Sequence, residues 1–317
     1  MSTATADVSK RRAWVMAARP QTLPAGSAPV IVGGGLALHD GVFAVLPWLA
    51  ALVGALLIQI GTNFANDYYD AVNGTDTEDR EGFTRVTAGG LIPPAQVKYA
   101  MVGTYGLAVL LGSYLVAIGG VPILVVGLTS IAAGILYTGG PYPYGYRGLG
   151  DLFVFVYFGV VAVTGTYYVQ AVAESGVALF PTWIPGGIDL VTAAVASLPA
   201  AGLSTAILVV NNVRDRETDA ETGKRTLAVM LGYGFSRVEF LAMVGMAYAV
   251  PMLFALDENF GLVVLAPLLS LPLAVSVSKT VLERTDGDAL NPALERVGQT
   301  LFVHSLLFAA GLAVTGL

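Results

Sequence analysis

The stretch GVFAVLPWLAALVGALLIQIGTNFANDYYDAVNGTD, residues 41–76, decides what kind of fold this chain adopts. Residues 41–62 carry no charged side chain. A helix of that length, rising 1.5 Å per residue, can cross about 30 Å of hydrocarbon. The residues that follow include Asp67, Asp70 and Asp76. This stretch therefore indicates a membrane-spanning helix that is followed by a set of carboxylates.

The composition agrees with a membrane protein. The chain has 317 residues, of which 55% are hydrophobic and 12% charged, and its mean hydropathy is +0.72. Soluble domains contain about 25% charged residues, so a soluble fold of this size could not cover its surface with ions. This composition excludes a soluble globular enzyme, a disordered chain and a nucleic-acid binder, which needs a basic face. The prediction is an all-α polytopic membrane protein.

Apolar segments recur along the chain at the spacing of membrane helices. The first is short and contains Pro24 and Pro29. With a polar N-terminal tail, residues 1–18, these segments account for the chain as a single domain, residues 1–317. We predict nine spans, each long enough or nearly so to cross the hydrocarbon: 22–38, 41–62, 97–118, 121–138, 151–173, 190–211, 236–255, 260–280 and 297–317.

The basic residues indicate the orientation of these spans. All 16 Lys and Arg residues fall near the N-terminus or at alternate loops, whereas the loops near 39–40, 119–120, 174–189 and 256–259 contain none. Lys and Arg are enriched in cytoplasmic loops. We therefore expect a multi-pass protein of the cell membrane with its N-terminus in the cytoplasm. The two longest cytoplasmic loops, about 63–96 and 211–235, are then the active-site loops.

A second acidic stretch has the same plan as the first. Each holds an asparagine and two aspartates at offsets of three or four: Asn63, Asp67 and Asp70 in the first, Asn211, Asp215 and Asp219 in the second. On a continuous helix, each set would share one face. Because Asp67 and Asp215 stand 148 residues apart, the chain has the pattern of a divergent internal repeat.

These acids indicate a metal bound through oxygen. Cysteine is absent and the two histidines, His39 and His304, are far apart, so thiolate and imidazole sites are disfavoured. Carboxylates stacked at a helix C-terminus repel each other and the helix dipole, so they need a positive partner. Mg²⁺ suits them because it binds few protein ligands and is also coordinated by the phosphate oxygens of a substrate. Basic residues predicted on the same side of the membrane can bind the rest of a polyanion: Arg85, Arg147, Lys224 and Arg225.

Two other interpretations stay open at this point. An acidic loop between two spans can be merely solvated, although two matched clusters disfavour this. A protein with an internal repeat and intramembrane carboxylates can be a cation-coupled transporter, although its acids would then lie near the bilayer midplane. The sequence favours a magnesium–diphosphate site at the cytoplasmic membrane surface.

The same residues resemble a known family. Asn66-Asp67-x-x-Asp70 followed by Gly74-x-Asp76 resembles the first aspartate motif of the UbiA superfamily of membrane prenyltransferases, and Asp215-x-x-x-Asp219 resembles the second. The resemblance extends from Arg19-Pro-Gln-Thr-Leu-Pro24 to the last span. Further segments are similar to the branch that prenylates 1,4-dihydroxy-2-naphthoate in menaquinone synthesis: Gly140-Pro-Tyr-Pro143, Gly145-Tyr-Arg-Gly-Leu-Gly-Asp151, Asn211-Asn-Val-Arg-Asp215 and Gly223-Lys-Arg-Thr-Leu227.

The resemblance implies a fold and a set of site residues. The family fold has nine helices around a central cavity, and two Mg²⁺ ions at the aspartate motifs hold a polyprenyl diphosphate. The implied metal ligands are Asp67, Asp70, Asp76, Asp215 and Asp219. The implied substrate-binding residues are Asn63, Asn66, Asn211, Arg85, Arg147, Lys224, Arg225 and Tyr142. Asp151 is expected in the aromatic-substrate site or else as a structural partner of Arg147, and Tyr142 in the cavity wall or else in an interfacial aromatic belt.

The implied reaction is the Mg²⁺-dependent transfer of a polyprenyl group from polyprenyl diphosphate to 1,4-dihydroxy-2-naphthoate, with loss of CO₂ and diphosphate, giving demethylmenaquinone. Mg²⁺ and basic side chains stabilise the charge on the departing diphosphate. A cavity within membrane lipid excludes the water that would hydrolyse the allylic cation. Other acceptors stay possible within the family: 4-hydroxybenzoate, homogentisate, haem or a glycerol phosphate lipid.

Overall fold

The computed structural model describes residues 8–75 and 85–316, which hold helices and no strand. A π-helical stretch, Val156–Val161, joins two of the α-helices, and short 3₁₀ segments include Pro20–Thr22, Tyr144–Arg147 and Leu262–Ser270. The α-helices in these ranges are α1 Lys10–Ala18, α2 Leu23–His39, α3 Val45–Asn73, α4 Pro94–Leu136, α5 Gly150–Phe155, α6 Ala162–Glu174, α7 Leu190–Arg214, α8 Arg216–Glu221, α9 Leu227–Phe254, α10 Leu271–Glu283 and α11 Gly287–Thr315.

Seven helical segments of the described chain are long and apolar enough to cross a membrane. They are Val45–Asn73, Pro94–Leu136, Gly150–Glu174, Leu190–Arg214, Leu227–Phe254, Leu262–Glu283 and Gly287–Thr315. The prediction of an all-α polytopic membrane protein is thereby confirmed. The number differs from the nine predicted spans for two reasons: α2 has only 17 residues, and the predicted spans 97–118 and 121–138 form one helical element, α4, of 43 residues.

Helix α4 is not straight, because it folds back on itself at Gly120. The backbone there has φ 66° and ψ −148°, which is not helical. The two halves then lie side by side: a Cβ atom on Gly134 would lie 2.6 Å from the hydroxyl of Tyr105, which belongs to the other half. The bend is tied to the loop before α7, since the carbonyl of Pro181 accepts a hydrogen bond from the Val121 amide at 3.0 Å.

Gly120→Ala is expected to destabilise the protein. A side chain at this φ and ψ costs about 1–3 kcal/mol in backbone strain. Its Cβ would also lie 1.8 Å from the Pro181 carbonyl oxygen, which cannot move without breaking the bend. Thermal unfolding of the purified protein measures the loss. Gly103→Ala, on the same helix with nothing within 4 Å of its Cβ, should leave the midpoint unchanged or higher; equal midpoints for both variants would contradict this account.

Helix α7 lies at the centre of the bundle. Many of its buried residues belong to the main hydrophobic core, and a larger share of it is buried than of any other candidate membrane span in the described chain. Four of its alanines are fully buried: Ala196, Ala200, Ala201 and Ala206. Small residues let helix backbones approach closely in a membrane.

The run Gly33-Gly34-Gly35 also lets α2 approach its neighbours closely. A Cβ on Gly33 would lie 2.8 Å from the Val163 carbonyl oxygen, and one on Gly35 would lie 2.6 Å from the Ala309 Cα. These glycines therefore allow close packing of α2 against its neighbours.

Candidate active site

A cavity of about 600 Å³ runs through the helix bundle. Its walls are apolar over most of their length, with Val109, Leu124 and Leu128 on the two halves of α4 each more than one-third exposed, so the cavity is open on that side. Its polar end holds charged and amide side chains from several helices and loops: Arg19, Asn63, Asn66, Asp70, Arg85, Asn211, Asn212, Arg214, Asp215, Asp219, Lys224 and Glu295.

The first acidic motif lies on a helix and not in a loop. Helix α3 continues to Asn73, so Asn63, Asp67 and Asp70 share one face, as the sequence predicts for a continuous helix. Both carboxylates are buried, with 1% and 2% of their residues' surface exposed. The helix ends at Gly74, whose φ of 68° is the left-handed conformation that glycine adopts at helix C-termini.

The carboxylate of Asp67 is held between two parts of the chain. It accepts hydrogen bonds from the backbone amide of Thr87 at 3.1 Å and from the Thr87 hydroxyl at 2.5 Å. The guanidinium of Arg19 lies 3.9 Å from its other oxygen. Arg19 reaches this position from a left-handed backbone conformation, φ 50°, at the end of α1.

The carboxylate of Asp70 faces the cavity. Arg85 donates to it at 3.2 Å, and the Thr75 hydroxyl donates at 3.3 Å. The Tyr146 hydroxyl makes a further short hydrogen bond to the same carboxylate. Burial, reinforced by the Asp70 carboxylate, raises the pKa of Tyr146 above its usual value, so this hydroxyl stays protonated and remains a donor.

The second acidic motif is divided between two helices. Helix α7 ends at Arg214, Asp215 forms its C-cap, and Asp219 lies on the short helix α8. The condition for a shared helix face, a continuous helix, is not met in the second motif, because the backbone leaves the α-helix at Asp215, with φ −90° and ψ 5°. Both aspartates nevertheless line the cavity.

Each aspartate of the second motif is paired with a cation. Arg214 binds both carboxylate oxygens of Asp215, at 2.7 and 2.8 Å. Lys224 lies 3.5 Å from a carboxylate oxygen of Asp219. The ammonium of Lys224 also lies 5.0 Å from the centre of the Tyr146 ring. Tyr146 therefore touches both motifs, through its hydroxyl on one side and its ring on the other.

The oxygen donors at this end of the cavity suit a hard divalent cation such as Mg²⁺. Asp70, Asp215 and Asp219 line the same cavity together with asparagine amides. In the part of the chain that the structure describes, no group of three acidic or histidine side chains is arranged to hold a metal ion. Each of these carboxylates is instead paired with a basic side chain.

The three predicted asparagines lie at the polar end of the cavity and have different hydrogen-bond partners. Asn63 donates to the Ala18 carbonyl and to the Thr22 hydroxyl, both at 2.9 Å, so it ties α3 to the end of α1 and to the segment that follows it. Asn66 accepts from the Thr138 hydroxyl at 3.0 Å. Asn211 accepts from Arg214 at 2.7 Å.

Five predicted site residues that the structure describes are not part of the cavity wall. One is Asp67, whose carboxylate accepts from Thr87 and is paired with Arg19. Arg147 and Arg225 are exposed, as is Tyr142, over whose ring the Arg147 guanidinium lies at 4.0 Å. Asp151 is buried at the start of α5, and its Oδ1 has no hydrogen-bond partner among the described residues, but it is not part of the cavity wall. Asp76 lies outside the described residues.

Sequence reasoning missed several residues at the site. Arg19, Asn212, Arg214 and Glu295 also line the cavity. Arg214 and Asn212 lie inside the quoted second motif, so their position could have identified them. The positions of Arg19 and Glu295 depend on tertiary folding, for which the sequence carries no local signal.

The sequence is similar to known enzymes over nearly its whole length. A model of the UbiA prenyltransferase family matches residues 27–306. The chain is 38% identical over 317 residues to 1,4-dihydroxy-2-naphthoate octaprenyltransferase of Escherichia coli K12, covering 96% of each protein. It is also 38% identical over 304 residues to the protein of the same name in Mycobacterium tuberculosis, covering 95% of this chain and 96% of that one.

Solved structures share the fold at lower sequence identity. A UbiA homologue from Aeropyrum pernix K1 superimposes with a TM-score of 0.68 at 13% identity, over 93% of this chain and 98% of that one. A UbiA homologue from Archaeoglobus fulgidus, solved bound to DMAPP and Mg²⁺, gives 0.59 at 13% identity, also over 93% and 98%. The family match and the close relatives together show that this chain belongs to the UbiA prenyltransferase family.

Proposed function

We propose that this protein transfers a polyprenyl group from polyprenyl diphosphate to 1,4-dihydroxy-2-naphthoate, in a Mg²⁺-dependent reaction that releases diphosphate and CO₂. The observation that carries the proposal is a cavity whose two ends differ, one polar and one apolar. Its polar end gathers Asp70, Asp215 and Asp219 with Arg85 and Lys224, and its apolar length suits a prenyl chain. The naphthoate acceptor is supported by the names of the relatives that are 38% identical.

The proposed metal ligands are Asp67, Asp70, Asp76, Asp215 and Asp219, holding two Mg²⁺ ions. Bound Mg²⁺ would supply Lewis-acid stabilisation of the leaving diphosphate. Arg85 and Lys224 hold the diphosphate oxygens in place and neutralise the charge that they gain. We place Asn66 and Asn211 beside the same group, where their amides orient it.

The apolar walls of the cavity position the prenyl chain and exclude water. The bond from the first prenyl carbon to oxygen breaks with its electron pair leaving on diphosphate. The ring carbon that bears the carboxylate forms the new bond, and CO₂ leaves with restoration of the aromatic ring. The product is the reduced form of demethylmenaquinone. Tyr157 and Phe158 line the cavity from the π-helical stretch, and we assign their rings to the stabilisation of the cationic carbon.

The proposal includes nine membrane crossings and a cytoplasmic N-terminus. The fold of α4 into two antiparallel halves supports counting it as two crossings, and the 17-residue α2 would be a short ninth. The 16 Lys and Arg residues at alternate loops support the orientation. The polar end of the cavity then faces the cytoplasm of a cell-membrane protein, and the whole chain acts as one domain.

Purified protein in lipid, supplied with 1,4-dihydroxy-2-naphthoate, geranylgeranyl diphosphate and Mg²⁺, is expected to form the prenylated, decarboxylated product, detected by mass spectrometry. EDTA should abolish its formation, and returning Mg²⁺ should restore it. The same assay with 4-hydroxybenzoate or homogentisate tests the acceptor. Product with one of these acids alone would keep prenyl transfer and refute the naphthoate acceptor, and turnover that persists in EDTA would refute the metal requirement.

A further inference from the structure

One ion pair at the polar end of the cavity is firmly held. Arg214 binds Asp215 through two hydrogen bonds, at 2.7 and 2.8 Å, and also donates to Asn211 at 2.7 Å and to Asn291 at 2.8 Å. The side chains of Arg214 and Asp215 are each 1% exposed. A guanidinium with this many short contacts is a rigid part of the fold.

Two other pairs that line the cavity have longer distances. Arg85 lies 3.2 Å from Asp70, and Lys224 lies 3.5 Å from Asp219, which are longer distances than the 2.7–2.9 Å of strong charge-assisted hydrogen bonds. Each acidic motif contributes one of these pairs, and all four residues line the same cavity. Among the ion pairs whose two members both line the cavity, these two have longer distances than Arg214–Asp215, and a ligand in the cavity would meet them.

We propose that these two pairs are the resting form of the site, and that Mg²⁺ and the diphosphate enter together by exchanging partners with them. This inference rests on the proposed function. Mg²⁺ alone must displace Arg85 or Lys224 from a carboxylate, and diphosphate alone must draw these cations away from buried carboxylates. When both arrive, the carboxylates turn to the metal and the cations turn to the diphosphate, so no buried charge is left uncompensated.

Tyr146 gives the two pairs a common contact. Its hydroxyl donates to Asp70, and its ring lies 5.0 Å from the ammonium of Lys224. A shift of Lys224 towards diphosphate changes the surroundings of the same ring whose hydroxyl holds Asp70. We therefore expect the two pairs to exchange together and not one at a time.

Arg85→Gln gives a test in which two affinities move in opposite directions. With Mg²⁺ alone, isothermal titration should show about tenfold tighter binding than the wild type, because Asp70 no longer has a competing guanidinium. With inorganic pyrophosphate at saturating Mg²⁺, the affinity should fall about tenfold, because one cation that holds the diphosphate is gone. Both proteins are titrated under the same conditions, so the binding of Mg²⁺ to pyrophosphate in solution cancels in the comparison.

The matched control is Arg284→Gln. Arg284 pairs with Asp286 at 2.8 Å on the exposed surface, outside the cavity wall, and its replacement should change neither affinity. Lys224→Gln tests the second motif and is expected to repeat both opposite shifts if Arg85→Gln does not fold. Unchanged or weaker Mg²⁺ binding in the folded variants would overturn the exchange. Prenyl transfer by the same wild-type preparation is measured separately, so absence of turnover would count against the proposed function and not against the exchange.

Discussion

Asp219→Asn is expected to lower prenyl transfer on the order of 10³-fold, because it removes a negative oxygen from the site that stabilises the leaving diphosphate. Asparagine has nearly the same shape, so the short helix α8 should be preserved. The rate is measured with saturating geranylgeranyl diphosphate and Mg²⁺, using purified protein in lipid. Asp70→Asn, from the first motif, should give a loss of the same order.

The control for these variants is Asp286→Asn. Asp286 is an exposed carboxylate whose side chain caps α11 by accepting from the Ala289 amide, and asparagine caps helices equally well. Its replacement should leave the rate unchanged. If Asp219→Asn and Asp70→Asn both retain more than about a tenth of the wild-type rate, the two motifs do not form the metal site, since losing a ligand carboxylate costs more than that.

The membrane helices were predictable from the hydropathy of the sequence. Apolar length and low charge identify the membrane helices without any tertiary information. The count differed at α4, because a run of 43 helical residues with Gly120 at its bend reads as two spans in sequence and as one folded element in the structure. The predicted span 41–62 ends earlier than the helix, because α3 continues to Asn73. Polar residues of its last turns are buried in the bundle, which hydropathy alone does not predict.

Part of the site was predictable from spacing. Asp67 and Asp70 share a helix face because α3 continues through them, and Asp70, Asp215 and Asp219 do line one cavity. Spacing could not show that the helix breaks at Asp215, nor which basic side chain pairs with each carboxylate. The basic residues illustrate the limit, since Arg85 and Lys224 line the cavity whereas Arg147 and Arg225 are exposed on the surface.

Arg214→Leu is expected to destabilise the protein by about 3–5 kcal/mol. Removing one partner of a buried ion pair leaves the other charge without compensation, and Asp215 is 2% exposed. The loss should appear as a lower thermal unfolding midpoint of the purified protein. Arg284→Gln, which breaks an exposed pair of the same type, should leave the midpoint nearly unchanged because surface pairs are screened by solvent.

A double variant separates the charge from the other contacts of Arg214. If the uncompensated carboxylate causes the loss, Arg214→Leu combined with Asp215→Leu should be more stable than Arg214→Leu alone, since replacing a whole buried pair by apolar groups is often neutral. If the hydrogen bonds to Asn211 and Asn291 dominate, the double variant should be at least as unstable as the single one. The first result would make Arg214 the fixed cation around which the looser pairs exchange. The second would mean that Arg214 stabilises the protein by joining α7 to α11 through hydrogen bonds. The charge pair with Asp215 would then contribute little to the stability of the site.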